Sequence, residues 1–366
     1  MRIDKIYLNG FRNYENAFAE FSPEINVITG QNAQGKTNLL EAIYILTGGK
    51  SFRTRFDGEI IGFDYSGAEI LANIYAQGRD QTVRVLLNRG QRKTITRNGV
   101  KTAASELTNL LRAVLFCPDD LDLIKTGASA RRRLLDMSIS QLRPGYAALI
   151  SEYNRLHDHK MSILKEYDRR PDLLKTLDDF SQAMCATSAK LIRYRAAFTQ
   201  KLAVKAQKIA MEFSGGGETL DISYKTVSAV TDPLAPTHTV LEQLYAHMFA
   251  LRNAELSARA CLSGAHKDDL DIRINGVPAR SYASQGQART AALSIKLGER
   301  EIFLEETGEY PVLLLDDVLS ELDQRRQSFV LNRIGGGQTL ITCCEDEGIV
   351  QKTGGRVLTV KSGEII

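Results

Sequence analysis

A glycine-rich segment near the start of the chain carries the clearest chemical signal in the sequence. Its glycines would let backbone N–H groups close around phosphate oxygens at a helix N-terminus. Lys36 would supply a positive charge for the β and γ phosphates, and Thr37 would offer a hydroxyl to Mg²⁺. The segment satisfies the pattern GxxxxGK[ST] with Gly30, Gln31, Asn32, Ala33, Gln34, Gly35, Lys36 and Thr37.

The residues around this segment decide between a phosphate-binding loop and a chance glycine-rich turn. The apolar run 25–28 precedes it and predicts a strand, and the run 37–46 follows it with apolar residues at helical spacing. A strand, a glycine-rich loop and a helix in this order are the context that a phosphate loop requires. The context therefore favours nucleotide binding over a chance turn.

Two adjacent carboxylates follow an apolar run late in the chain. The run 312–315 predicts a buried strand that ends at Asp316 and Asp317. A nucleoside-triphosphate site needs a second, carboxylate-bearing strand, so we expect Asp316 to reach the magnesium ion. Asp317 stands where a general base for an attacking water would lie, and the alternative is that it caps a helix or turn.

A third segment places Ser284 and Gly286 at the start of the strongly helical run 290–297. A serine and a glycine at a helix start can bind an anion. Because the first loop already holds the phosphates of its own nucleotide, this second site fits a different nucleotide. The alternative is a simple N-cap at Ser284, which would be favoured if the other two motifs were absent.

One long helical pattern is basic on a single face. No acid occurs between Asp179 and Glu212, and five cations fall within an arc of about 120° at 100° per residue. Such a face suits sequence-independent contact with DNA phosphates, although a merely solvated face is the alternative. The run 131–133 is a second basic candidate that would also suit pairing with carboxylates. The predicted DNA-binding residues are Lys190, Arg193, Lys201, Lys205 and Lys208.

Composition sets limits on these hypotheses. With 366 residues, 43% of them hydrophobic and 25% charged, the chain is typical of a folded protein of two domains, or of one domain with an insertion. The net charge of +3 shows no global excess, so any basic patch must be local. The five cysteines and five histidines lack the spacing of a disulfide framework or a zinc site. The N-terminus shows no apolar signal, so we expect a cytoplasmic protein.

The order of these patterns indicates how the elements are arranged. Short alternating strands with hairpin signals occur before residue 100 and again near 270–276, whereas residues 129–213 show long helical patterns. The most economical layout is α/β, with residues 1–125 and 262–366 together forming a head and residues 126–261 forming an inserted, mainly helical arm.

The three motifs, in this order, resemble an ABC-type ATPase head, a class in which two heads enclose two nucleotides. Within that class the whole chain resembles the RecF family, bacterial DNA replication and repair proteins related to SMC heads. The matching segments are 11–14, 30–42, 116–125, 131–136, 264–270, 284–287 and 314–323.

The resemblance implies an ABC-type head with a P-loop, a mixed sheet with helices, and an inserted helical arm. It implies ATP and Mg²⁺ as cofactors and a homodimer that forms on DNA when ATP is bound. This homodimer would bind junctions of single- and double-stranded DNA without sequence preference. Slow, DNA-stimulated hydrolysis of ATP would release the protein from the DNA. It implies cooperation with RecR and RecO in loading RecA during gap repair, replication restart and the SOS response. Further nucleotide contacts would come from Arg12, Asn38, Gln287 and Asp323, besides Ser284 and Gly286.

The sequence departs from the wider ABC pattern at Asp317 and in one later segment, and one expected motif cannot be assigned. Asp317 stands where many heads carry a glutamate, so a slow or differently placed base is expected. The segment 339–344 has no switch histidine, and no Q-loop glutamine can be assigned. A motor head of SMC or transport type is the alternative function, but no membrane span or long heptad arm supports it. A P-loop kinase would leave Ser284 unexplained.

Overall fold

The structure, a computed structural model, describes residues 1–54, 56–344 and 347–366. The chain divides into two compact units, one made of residues 1–120 and 296–366 and the other of residues 121–295. Among the described residues no helix is long and apolar enough to cross a membrane.

The described strands, in chain order, are β1 (Arg2–Phe11), β2 (Tyr14–Glu20), β3 (Ile25–Thr29), β4 (Gly67–Ala76), β5 (Arg79–Asn88), β6 (Thr94–Arg97), β7 (Val100–Lys101), β8 (Ala113–Phe116), β9 (Leu220–Lys225), β10 (Asp269–Ile274), β11 (Val277–Pro278), β12 (Val312–Leu315), β13 (Thr339–Cys343), β14 (Arg356–Lys361) and β15 (Glu364–Ile365). The described helices are α1 (Lys36–Ile45), α2 (Ala104–Leu107), α3 (Asp122–Lys125), α4 (Ala128–Leu142), α5 (Tyr146–Glu166), α6 (Leu174–Ser214), α7 (Thr237–Ala258), α8 (Ala279–Tyr282), α9 (Gln285–Thr307), α10 (Gln324–Leu331) and α11 (Glu347–Thr353).

A mainly parallel sheet in the first unit positions the chemistry. Its described strands run in the order β15-β14-β3-β13-β12-β8, and all neighbours except β15 are parallel. All residues of β8, β12 and β13 are buried, which explains their continuous apolar runs. Because the carboxyl ends of parallel strands meet at one edge, the residues that follow β3, β12 and β13 lie close together.

The second sheet of the first unit is antiparallel, in the order β2-β1-β4-β5-β6-β7 among the described strands. Burial alternates strictly along β4, as expected for a sheet with one covered and one solvated face. The predicted hairpin turn is present between β6 and β7, where Asn98 and Gly99 have φ of 50° and 80°.

Helices dominate the second unit, as the periodicity of 129–213 predicts. The longest helix among the described residues is α6, with 41 residues, and it ends where Gly215 takes a left-handed conformation at φ 67°. An apolar stripe along α6, formed by Leu191, Phe198, Leu202 and Ile209, is buried. A further helix, α7, lies within residues 126–261, the range predicted to be mainly helical, although the sequence indicated no individual helix there.

The segment 264–270, one of the segments that carry the family resemblance, contributes to a hydrogen-bonding centre in the second unit. Asp268 is fully buried and accepts hydrogen bonds from Arg195 Nη1 at 2.6 Å, Tyr224 Oη at 2.5 Å and Thr226 Oγ1 at 2.7 Å. Arg195 also donates to both carboxylate oxygens of Asp136, each at 2.9 Å. Arg195 of α6, which is not among the predicted DNA-binding cations, is therefore part of the structural core.

The neighbouring Asp269 explains part of the basic run 131–133. Arg131 is only 4% exposed and donates to both oxygens of Asp269, at 2.6 and 2.9 Å. Of the two interpretations of this run, pairing with a carboxylate describes Arg131. A buried, paired guanidinium is not available to DNA.

Candidate nucleotide site

The loop between β3 and α1 has the backbone of an anion-binding turn. Gly35 precedes α1 with φ 123°, and no side chain caps the helix. Its first N–H groups are therefore free to bind phosphate oxygens. At Gly30, with φ 149°, a Cβ would lie 2.3 Å from the carbonyl oxygen of Val360, so only glycine fits.

Lys36 is folded back onto this loop. The side chain is 4% exposed, and Nζ donates to the carbonyl oxygens of Gly30 at 2.6 Å and Gln31 at 3.2 Å. It also lies 3.7 Å from Cys344 Sγ. Within the described chain no carboxylate pairs with Lys36, so its charge is available to incoming phosphates.

The two residues predicted to hold a metal ion meet at the sheet edge. Thr37 Oγ1 donates to Asp316 Oδ1 at 2.9 Å, and Thr342 Oγ1 donates to the same oxygen at 2.9 Å. Burial raises the pKa of Asp316, and the two hydroxyl bonds oppose this rise. A hydroxyl and a carboxylate fit Mg²⁺, which takes few protein ligands and, when bound, neutralises charge on phosphate oxygens.

Asp317 has an unusual backbone and an unsatisfied side chain. Its φ is 52°, a left-handed conformation that aspartate tolerates better than most residues, and its N–H donates to Thr342 Oγ1 at 2.8 Å. Its Oδ1 is buried and accepts no hydrogen bond from the described residues. The short helical turn that follows, residues 319–321, has Val318 at its N-cap position and no side-chain cap. An orphaned carboxylate oxygen fits a group that receives a proton or orients a water.

Arg12 is fixed to the helix that follows the loop. Its Nε and Nη2 donate to the two oxygens of Glu41 at 2.8 and 2.7 Å, and its Nη1 donates to the carbonyl oxygen of Glu59 at 2.6 Å. Glu41 is fully buried on α1 and also lies 3.6 Å from Arg53 Nη1. The predicted contact residue Arg12 therefore lies at the P-loop helix, held in a bidentate ion pair.

Asn38 is bonded to the β1–β2 turn and to Arg53. Its Nδ2 donates to Asn13 Oδ1 at 2.7 Å, and its Oδ1 accepts from Arg53 Nη1 at 2.6 Å. Asn13 Nδ2 in turn donates to the carbonyl oxygen of Gln34 at 2.8 Å. These bonds connect the P-loop, its helix and the first strand pair.

A turn near the C-terminal end supports the loop, and sequence reasoning missed it. The N–H groups of Ser362 and Gly363 donate to the side chain and backbone of Gln34, at 2.5 and 3.2 Å. A Cβ at Gly363 would lie 2.2 Å from the carbonyl oxygen of Asn13. No local pattern could reveal this contact, because its partners are about 330 residues apart.

In the second unit, Ser284 and Gln287 form a capping box. Gln287 N donates to Ser284 Oγ at 3.2 Å, and Ser284 N donates to Gln287 Oε1 at 3.0 Å. Ser284 thus caps α9, the alternative weighed above, and it remains exposed at a helix start that favours anions. Lys125 Nζ, which sequence reasoning missed, donates to the neighbouring carbonyl oxygen of Ala283 at 2.6 Å. Gly286 lies in the first turn of α9.

Asp323 is the N-cap of α10 in the first unit. Its Oδ1 accepts from Arg326 N at 2.9 Å, and this bond lowers the pKa of the exposed carboxyl. The residue is therefore a cap, and its contact with a nucleotide stays a prediction.

The predicted DNA-binding cations lie along α6. Lys190, Arg193, Lys201 and Lys208 are exposed and Lys205 is half-buried. Arg193 Nη1 donates to Thr237 Oγ1 at 2.9 Å. The basic face is thus present on the solvent side of the buried Leu191 and Leu202.

The phosphate loop after β3 and the carboxylates after β12, at one edge of a parallel sheet, define a P-loop nucleotide-binding protein. Residues 2–362 match the family model "RecF/RecN/SMC N terminal domain". The chain is 36% identical to "DNA replication and repair protein RecF" of Acetivibrio thermocellus, over 95% of this chain and 94% of the relative. It is 38% identical to the protein of the same name from Bacillus subtilis, over 96% of both chains. The chain therefore belongs to the RecF family.

Solved structures agree with this assignment. The chain superposes with a TM-score of 0.92 on a structure described as "the recombination mediator protein RecF-ATPrS in RecFOR pathway", at 33% identity, covering 100% of this chain and 97% of that one. The chain superposes on the RecF-ATP structure of the same pathway with a TM-score of 0.90 at 34% identity, covering 100% of this chain and 96% of that one. The chain superposes on an Smc head bound to the C-winged helix domain of ScpA with a TM-score of 0.57 at 16% identity, covering 100% of this chain and 97% of that one. This similarity shows a shared fold.

Proposed function

We propose that this protein is an ATP-dependent DNA-binding protein of recombinational gap repair and replication restart. It binds ATP with Mg²⁺, dimerises on DNA and hydrolyses ATP slowly to release the DNA. The observation that carries the proposal is the shared hydrogen bond of Thr37 and Asp316 beside a P-loop with an uncapped helix N-terminus. The names of the relatives, and the ATP in the similar RecF structure, support the assignment to DNA replication and repair.

The residues of the first unit have separate tasks in this proposal. Lys36 leaves its two carbonyl partners to bind the β and γ phosphates. Thr37 and Asp316 hold the magnesium ion, and Arg12 and Asn38 complete the nucleotide contacts. Asp317 accepts the proton of the attacking water, or orients that water, through its unsatisfied oxygen.

A second copy of the chain completes each site. Ser284, Gly286, Gln287 and Asp323 contact the nucleotide that is held by the partner's phosphate loop. The exposed Ser284 at the start of α9, with the Lys125 ammonium bonded to the adjacent residue, supports an anion contact of this kind. In this proposal residues 1–125 and 262–366 act together as the ATPase head, and residues 126–261 as the arm.

DNA is bound without sequence preference through the basic face of α6, which presents charge but no base-specific geometry. Junctions of single- and double-stranded DNA at gaps are the proposed targets. RecR, RecO and the RecA pathway are the proposed partners, within the DNA-damage (SOS) response. The bacterial relatives act in DNA replication and repair by name, so we propose a cytoplasmic location.

The test is the mass of the protein in solution with ATP alone and with ATP plus DNA. We expect the mass to double when both are present. Lys36→Ala should lose nucleotide binding, whereas Ser284→Arg should keep ATP binding in the monomer and lose the dimer and DNA-stimulated hydrolysis. A mixture of the two variants should restore at most one composite site.

The outcomes discriminate between functions. ATP binding equal to the parent's in Lys36→Ala would contradict the nucleotide site. A Ser284→Arg protein that still forms the ATP-dependent dimer would remove the composite site. Phosphate transfer to a small acceptor without dimerisation would indicate a P-loop kinase instead.

A further inference from the structure

Two large aromatic side chains of the first unit are exposed without a structural reason. Phe63 is 100% exposed and Phe56 is 63% exposed. Burial of a phenylalanine normally stabilises a protein, because it removes apolar surface from water, so folding alone does not favour the exposure of either ring. Both lie in the loop between α1 and β4.

This loop is held firmly at its centre. Ile60 and Ile61 are buried, and the Ile60 carbonyl oxygen accepts from Arg12 N at 2.8 Å. Gly62 N donates to the carbonyl oxygen of Gly10 at 2.9 Å. Phe56 and Phe63 therefore flank an anchored segment, and their exposure does not result from a loose chain.

The β5–β6 turn, residues 88–93, is bonded to the same loop. Arg89 donates through Nε to the carbonyl oxygen of Tyr65 at 3.0 Å and through Nη2 to that of Gly62 at 3.1 Å. Lys93 Nζ lies 3.0 Å from Asp57 Oδ1. We define the Phe63 surface as the described residues of 50–66 and 88–93.

The segments that form the Phe63 surface also carry exposed cations. Lys50 and Arg92 are exposed and form no ion pair with a residue that the structure describes. Arg89 bonds only carbonyl oxygens in the contacts above, so its charge is not neutralised by them. Glu59 and Asp64 are the exposed acids that oppose these cations.

Exposed aromatic rings among uncompensated cations match the chemistry of single-stranded DNA. Unpaired bases stack on aromatic side chains, and the backbone phosphates pair with lysine and arginine. Bases inside a duplex offer no free face, and a protein partner would not require the cations. We propose that the Phe63 surface binds single-stranded DNA, with Phe63 and Phe56 stacking on unpaired bases and Lys50 and Arg92 contacting phosphates. This inference rests on the proposed function and adds a contact separate from the basic face of α6.

The surface is also bonded to the candidate nucleotide site. Arg12 donates to the Ile60 and Glu59 carbonyl oxygens on one side and to Glu41 of α1 on the other. DNA bound at Phe63 therefore touches a loop whose backbone is two hydrogen bonds away from the P-loop helix. The contact is placed where it can influence hydrolysis.

The test compares the full-length Phe56→Ala/Phe63→Ala protein with the parent on two DNAs. One is an oligonucleotide of about 20 thymidines, longer than the site of a single binding module. The other is a covalently closed, relaxed duplex circle, which presents no unpaired base. Phe249→Ala is the matched control, because Phe249 is 83% exposed on α7 and belongs to the second unit.

We expect the double variant to bind the oligonucleotide at least about tenfold more weakly, with duplex affinity unchanged. The salt dependence should stay the same, since an aromatic contact releases no counterions. Lys50→Gln/Arg92→Gln should instead flatten the slope by about 0.7 for each lost phosphate contact. Phe249→Ala should match the parent throughout.

Three results would overturn the inference. They are parent-like oligonucleotide affinity in the double variant, an equal loss on both DNAs, and an unchanged DNA affinity combined with loss of binding to a purified protein partner. The last would identify a protein-docking surface. If the parent itself binds neither DNA, the proposed function fails, whereas a parent that binds both alongside an unaffected variant refutes only the Phe63 surface.

Discussion

Replacing Asp317 by Asn changes one oxygen of the candidate site into an amide nitrogen and leaves the size of the side chain nearly unchanged. Asparagine tolerates the left-handed backbone of this position, φ 52°, at least as well as aspartate. The bond from the residue's N–H to Thr342 Oγ1 uses only the backbone of residue 317 as donor, so the substitution retains it. The substitution therefore removes proton-accepting capacity without disturbing the fold.

The size of the effect follows from the role proposed for the unsatisfied Oδ1. A positioned general base typically contributes about 10² to 10⁴ in rate, equivalent to about 3 to 5 kcal/mol in the barrier. Nucleotide affinity should not fall, because Lys36, Thr37 and Asp316 are untouched. Removal of the neighbouring charge also lowers the pKa of Asp316, which favours the ionised form that a metal needs.

The assay is single-turnover hydrolysis of ATP in the presence of DNA, with ATP affinity measured separately. Asp317→Asn should slow cleavage by at least about a hundredfold at unchanged affinity, and the ATP-dependent dimer should persist longer. Asp316→Asn is the matched control, since it removes the charge expected to hold Mg²⁺ and should weaken magnesium-dependent ATP binding.

Two results would refute this reasoning. A cleavage rate equal to the parent's would place the base elsewhere. A loss of ATP affinity as large as that of Asp316→Asn would show that Asp317 serves binding and not proton transfer.

Three further predictions follow from the second unit. Asp268→Asn removes one of the carboxylates that pair with the buried Arg195. The free energy of unfolding, measured with denaturant, should therefore fall by about 3 to 5 kcal/mol. Burial lowers the pKa of His266 to about 4 from the ordinary 6.5, so only the unfolded chain is protonated between these values. The free energy of unfolding should fall by up to about 1.4 kcal/mol per pH unit as the pH drops through this window, and His266→Gln should reduce this dependence of the unfolding free energy on pH. The third change replaces three lysines of α6 by alanine: Lys201, Lys205 and Lys208. This variant should bind all DNA sequences more weakly to the same extent, with the salt dependence of DNA binding flattened by about two to three units of slope and ATP binding unchanged. A slope equal to the parent's would indicate that this face is only solvated.

The sequence predicts the phosphate loop and the strand before Asp316 because each has a local signature. The loop lies between β3 and α1, close to the predicted bounds. The 22-residue helix α7 lies in the arm predicted to be mainly helical but was not predicted individually, since exposed apolar residues such as Phe249 blur its periodicity.

The contacts that complete the site could not be predicted, for a different physical reason. Gln34 is bonded by the turn at Ser362, and Arg195 is directed inward by Asp268, which lies in another part of the chain. Such pairs depend on tertiary packing between distant segments. A single sequence contains no periodicity that reports them.

The strand order of the parallel sheet has a consequence for how the protein is made. β3, which leads into the phosphate loop, has β13 and β14 as its only described neighbours, and both are encoded about 300 residues later. At about 5 to 20 residues per second, a ribosome needs roughly 15 to 60 s to reach them. During that interval both edges of β3, with the apolar Val27 and Ile28, lack their native partners. The nascent chain therefore depends on chaperones or on transient non-native burial until its last strands emerge, and ATP can stabilise the fold only after that point.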